Sequence, residues 1–428
     1  MNRRDFIKGT AAGAAALTAG ASLLPTKARA AGTVPSRWVF VNMGGGWDSC
    51  YSIDPKPGMA TVSQPPGTML EYNGGAMHVW DWKPKVLATD PDSNVKKFFD
   101  QWNSVACIVK GVNTRTISHM IAAQRIYCGK QGGTSPDMPT IIGFEKFKDM
   151  PVPYLLINGP GWAGPLGAAV GRVGQTGQLR VLIDPTQSQV PLSFMPSAQD
   201  EADIEAFHNA NAERERAIRG SVGYNKARID DFENSLIHAD MLRDKGKNMN
   251  FGAGGIQGGA DTAISAFKLG LAGVCMIDSG FGFDTHSNNK SQGPSQDGVY
   301  AGLNYLANQL LATPDPLFPG DNMMAHTTVV LLSEFTRTPK LNGGQGKDHW
   351  PVNTNLIFGC GVNGGRQVGE TGEGMVAMPL NLDTGATSGP NLASMGTEIY
   401  CSGVIELAGV DHTKYFGSGT PALKAIAL

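Results

Sequence analysis

Charge of either sign is scarce in this chain. Only 17% of the 428 residues are charged, 35 basic against 37 acidic, for a formal net charge of −2. A balance this even gives no electrostatic footprint for nucleic acid or for an anionic membrane surface. The six cysteines, Cys50, Cys107, Cys128, Cys275, Cys360 and Cys401, stand far apart with no C-x-x-C pair. That argues against a zinc knuckle or a dithiol redox motif. Cys107, Cys275 and Cys360 lie inside apolar runs and are expected as small buried hydrophobes. There is no G-x-S-x-G, so the serine elbow of the α/β-hydrolases is missing. No segment repeats, and past residue 30 no apolar run is long enough to span a bilayer.

What is present begins at the N-terminus. Arg3 and Arg4, followed by Phe6, Ile7 and Lys8, head a weakly apolar stretch over residues 9–24, and Ala28-Arg29-Ala30 closes it. A paired-arginine n-region, a short apolar run and an A-x-A site make a cleavable secretory signal of the twin-arginine type over residues 1–30. The expected product is periplasmic or secreted, with the export machinery as a partner and no permanent membrane anchor. Hydrophobic residues make up 41% of the chain, and 56 glycines and 26 prolines promise many turns. Short apolar runs at 38–42, 105–109, 154–157, 179–183, 274–277, 328–332 and 355–358 read as buried strands. Helical patterns at 94–102, 118–127, 260–271, 296–312 and 397–408 fall between and after them. Such alternation predicts an α/β fold, a three-layer sandwich around a mostly parallel sheet. Residues 197–247 are polar and helix-prone and read as an inserted pair or trio of helices. The remainder, 31–428, reads as one domain.

Four segments could carry chemistry. Gly44-Gly45-Gly46-Trp47-Asp48 follows the first strand, where open α/β sheets place ligands; Asp48 could equally cap a helix. Asp284 and His286 are two residues apart, so an extended segment would set both on one face for a shared metal, or Asp284 could simply fix a turn. Ser333 to Thr338, with Glu334 and Arg337, leads through glycines to Asp348-His349; these neighbours could face one metal only in a turn. Glu334 and Arg337 could also form a structural ion pair. Ser118-His119 follows the 105–109 strand, and Ser118 suits either a helix cap or a nucleophile beside an anion-binding helix start.

Together these segments resemble an exported bacterial family, the domain of unknown function 1501. Its pattern matches here at Gly45-Gly46-Trp47-Asp48, Ser118-His119, Gly282-Phe283-Asp284-Thr285-His286, Ser333-Glu334-Phe335-Thr336-Arg337-Thr338 and Gly346-Lys347-Asp348-His349. The family looks like a relative of the alkaline phosphatase and sulfatase superfamily. The resemblance implies an alkaline-phosphatase-like sandwich and a hydrolase of phosphate or sulfate esters, small or polymer-borne. It also implies one or two divalent ions: zinc, manganese, calcium or magnesium. By position, Asp48, Asp348 and His349 would hold one ion and Asp284 and His286 the other. Ser118 would be the nucleophile, and Arg337 would assist catalysis. Thr336 and Trp350 stand where the family often has glycine. Lys347 adds a cation that could meet an anionic substrate or be solvated, and the superfamily's final His has no counterpart. That last departure, with the helical insert, leaves a non-catalytic binding or assembly protein as the alternative.

Overall fold

A computed structural model describes residues 34–82, 92–173, 178–183, 196–220 and 222–428. The export signal at 1–30 lies outside the described residues. One eight-stranded sheet organises the chain. Its strands are β1 (Arg37–Asn42), β2 (Ala106–Asn113), β3 (Tyr154–Leu156), β4 (Val170–Arg172), β5 (Val274–Asp278), β6 (Thr327–Leu332), β7 (Val352–Gly359) and β8 (Arg366–Val368). Across the sheet they run β8-β2-β7-β6-β1-β5-β3-β4. Every neighbouring pair is parallel except those of β7, which is antiparallel to both β2 and β6.

The continuous apolar runs have a simple cause: both faces of the sheet are covered. Side chains alternate along β1, so Trp38 and Phe40 enter one core and Val39 and Val41 the other. The first core is closed by α2 (His119–Cys128), α3 (Met138–Lys146) and α9 (Thr397–Leu407) through Ile126, Ile141, Tyr400 and Val404. The second is closed by α1 (Asn94–Trp102), α7 (Gly255–Lys268) and α8 (Gln292–Ala312) through Phe98, Phe99, Phe267 and Leu303. Full burial of each such side chain stabilises the fold by roughly 1.5–3 kcal/mol. The expected three layers are therefore present, and all six cysteines are buried.

One expectation fails, and one strand differs from the rest in direction. Residues 179–183 are not a strand but lie in α4 (Gln178–Ile183), where Leu179 and Ile183, one helical turn apart, share a buried face. A short apolar run of this kind fits either periodicity. The run at 355–358 is a strand but runs against its neighbours, because β7 enters the sheet directly from the His349-Trp350 segment instead of through a crossover helix. The 197–247 insert forms two helices, α5 (Ala198–Arg219) and α6 (Gly223–Gly246). A Ser197/Asp200 capping box starts α5, and Arg216 reaches across to Asp230 and Glu233 of α6. No helix among the described residues is long and apolar enough to cross a membrane.

Because β1, β2, β5 and β6 point the same way, the loops leaving them emerge on one edge of the sheet, and the segment entering β7 arrives there too. Ligand sites of open α/β sheets form on this edge.

Candidate functional site

The loops on this edge are held together by backbone that only glycine allows. Gly45 has φ +110°, and a Cβ there would lie 2.7 Å from the Asp284 amide nitrogen. The loop after β1 therefore rests directly on the loop after β5. At Gly346 a Cβ would lie 1.9 Å from the His286 carbonyl oxygen, so the Gly-rich loop is laid against the same segment. The Lys347 amide donates to the Thr285 carbonyl at 3.0 Å. Arg337 binds all three loops: Nε donates to Gly46 O at 2.7 Å, Nη1 to Lys347 O at 3.1 Å, and Nη2 to Gly45 O and to Asp284 Oδ1, the last at 2.6 Å.

Three imidazoles converge on the Asp284 carboxylate. His286 Nε2 is 3.1 Å and His349 Nε2 3.4 Å from Oδ1, and His119 Nε2 is 3.6 Å from Oδ2. His286 Nε2 and His349 Nε2 are themselves 2.9 Å apart. Each ring has its other nitrogen fixed by an oxygen. His349 Nδ1 meets the Ile117 carbonyl at 2.8 Å, His286 Nδ1 meets Asp348 Oδ1 at 2.8 Å, and His119 Nδ1 meets Glu334 Oε1 at 2.8 Å. Glu334 is in turn held by the Gly45 amide at 2.7 Å and the Ser333 hydroxyl at 3.1 Å. The buried Phe335 ring packs on His119 and His349, with centroids 4.8 and 4.5 Å away.

The oxygens dictate the tautomers. A carbonyl or carboxylate only accepts, so each Nδ1 carries the proton and each neutral ring turns a bare Nε2 toward Asp284. Burial holds His349 below the usual imidazole range, which keeps it neutral. The bond to Glu334 raises His119. Burial pushes the Asp284 carboxyl up, but its bond to Arg337 and the neighbouring imidazoles carry it below the usual carboxylate range. The result is a set of acceptors facing one another with no donor of their own between His286, His349 and Asp284. A shared proton or a cation relieves that repulsion. Among the described residues, ligand atoms of His119, Asp284 and His349 all lie within 4.8 Å of one another, a spread that a metal ion fits. Metal-binding histidines commonly donate their second nitrogen to a carboxylate or carbonyl in this way.

Of the residues singled out in the sequence, Asp284, His286, Asp348 and His349 come together. Asp348 stands behind His286 as its hydrogen-bond acceptor. Asp48 does not join them. It is 1% exposed, and its carboxylate is closed off by Lys347 Nζ at 2.8 Å, Asn289 Nδ2 at 2.7 Å and the Cys50 amide at 3.2 Å. Lys347 is consequently neither solvated nor open to a substrate. Arg337 is 1% exposed, with its guanidinium engaged by the loop carbonyls and Asp284; it positions the loops and does not present itself to a ligand. Glu334 and Arg337, which could have paired with each other, pair instead as Glu334–His119 and Arg337–Asp284. Ser118 is exposed at the start of α2 and its hydroxyl makes no capping bond. It stands between Ile117, which accepts from His349, and His119. No metal-ligand spacing in the sequence marks His119. Its signal was the place itself, the first residue of a helix at the carboxyl edge of the sheet.

The family model described as "Protein of unknown function (DUF1501)" matches residues 35–381 and so takes in every residue of this cluster. A twin-arginine translocation pathway signal sequence matches residues 1–20. No curated protein matches the chain. The chain belongs to the DUF1501 family of proteins of unknown function and carries a twin-arginine signal that exports it to the periplasm or beyond.

Proposed function

We propose that His119, His286, His349 and Asp284 hold a single divalent metal ion and that the protein is an exported metal-dependent hydrolase of phosphate or sulfate esters. The observation that carries this reading is the shared orientation of three rings, each anchored through Nδ1 with Nε2 turned to Asp284. Three imidazoles and a carboxylate suit zinc or manganese; calcium and magnesium, which prefer oxygen donors, fit poorly. When bound, the ion would supply Lewis-acid stabilisation of charge developing on a substrate oxygen. The protein's own contribution is positional. Glu334 and Asp348 fix the rings of His119 and His286. Arg337 fixes Asp284. The first amides of α2 face outward at a helix N-terminus and favour an anion beside the Ser118 hydroxyl, the candidate nucleophile. The same edge of the same kind of sheet carries the sites of the alkaline phosphatase and sulfatase superfamily, which supports the reaction class.

The seclusion of Asp48 favours one metal over two, and it also gives the alternative its footing. Without a second ion the cluster would serve a binding or assembly protein that keeps the metal and turns nothing over. Turnover of aryl phosphate and aryl sulfate by the mature protein, lost in Ser118→Ala, supports the hydrolase. Stoichiometric metal with no turnover of either ester, across a range of pH, selects the binding protein.

A further inference from the structure

Beside the cluster lies a cleft of about 550 Å³, within the size range of small-molecule sites. It shares His119 and Glu334 with the cluster and continues over Met120, Ile121, Ala123 and Trp162. No lysine, arginine or unsatisfied acid lines it. Its polar side chains are already occupied by the protein. Asn42 donates to Asp278 at 2.7 Å and accepts from the Tyr127 hydroxyl at 2.8 Å. Gln124 exchanges bonds with Gly132 through both ends of its amide. The Glu334 oxygens face His119, the Gly45 amide and the Ser333 hydroxyl.

Most of what remains available is apolar surface. Met120 is 83% exposed and Ile117, just before the helix, 56%. Trp162 is half-buried and rigidly mounted: its amide donates to Asp137 Oδ2 at 2.7 Å and its carbonyl accepts from the Asp137 amide at 2.8 Å. Its ring leans on Tyr127, with centroids 5.8 Å apart. A fixed aromatic face and a flexible thioether side by side recognise an uncharged flat or aliphatic group.

We infer that the cleft seats the organic portion of the ester, and that this portion is uncharged and apolar, aryl or alkyl, not a sugar or a second phosphate. The inference rests on the hydrolase reading for the ester itself, but the cleft can be probed without turnover. Binding of 2-naphthol to the mature protein, followed by calorimetry, is expected in the wild type, weakened roughly tenfold in Trp162→Ala and largely restored in Trp162→Phe. If the ester is hydrolysed, the preference for 2-naphthyl over methyl phosphate or sulfate should fall by a similar factor in Trp162→Ala. Naphthol binding without hydrolysis of any ester would remove the hydrolase reading and leave the cleft assignment standing. Absence of naphthol binding to folded protein, binding indifferent to Trp162→Ala, or selectivity for a glucose phosphate over the naphthyl ester would overturn it.

Discussion

His119, His286 and His349 are distinguished less by their own positions than by what holds their far nitrogens. Glu334 Oε1 accepts from the Gly45 amide and holds His119 Nδ1. Glu334→Gln should therefore leave the ligand set intact but weaken metal binding by about 10–100-fold, read by competition with a chromophoric chelator. Asp48 and Lys347 form a pair that is almost wholly buried. Removing one charge strands the other, so Asp48→Asn should cost on the order of 3–5 kcal/mol in urea unfolding. Asp48→Asn combined with Lys347→Met should recover much of that loss, and the double variant should keep its metal. Loss of metal from that double variant while it remains folded would return Asp48 to the ligand set. At this scale the sequence was partly legible. Asp284 and His286, two apart, announce a common face, whereas nothing in Gly346-Lys347-Asp348-His349 tells that the lysine turns inward to Asp48 and the aspartate outward to His286.

Among the elements, strands buried on both faces were the plainest to read, since β1, β5 and β6 are unbroken apolar runs. The direction of β7 was hidden, because direction depends on the path of the preceding loop and not on the residues of the strand. The helix at Gln178–Ile183 is too short for its periodicity to set it apart from a strand. Asp137 illustrates how an element carries a neighbour. It caps α3 by accepting from the Thr140 amide at 2.8 Å while pinning Trp162, and burial pushes its carboxyl up to about 6. An acid raised above its unfolded value of about 3.9 binds its proton more tightly in the folded state. Its favourable contribution is thus complete below pH 4 and is lost as pH rises through about 6. Relative to Asp137→Asn, the wild type should lose about 2 kcal/mol between pH 4 and pH 7. Urea unfolding of both proteins across that range measures the difference, and a constant difference would contradict the assignment.

For the molecule as a whole, the site exists only when the sheet is complete. His119 arrives from β2, Asp284 and His286 from β5, Glu334 and Arg337 from β6, and His349 from the segment that enters β7. A metal centre built this way would form with the fold, since metal binding and folding are coupled. The twin-arginine signal is consistent with this, since that route moves folded proteins and would let the centre be filled before export. The order of the motifs made the sheet edge foreseeable; the single shared cluster was not, because convergence of residues more than 200 positions apart is a property of the topology. The most direct measurement is elemental analysis of the mature protein purified without chelator, beside His119→Ala, His286→Ala and His349→Ala. The account predicts about one equivalent of zinc or manganese per wild-type chain and its loss from each variant with circular dichroism unchanged. A folded wild-type protein holding no stoichiometric metal, or variants that keep it, would contradict the account.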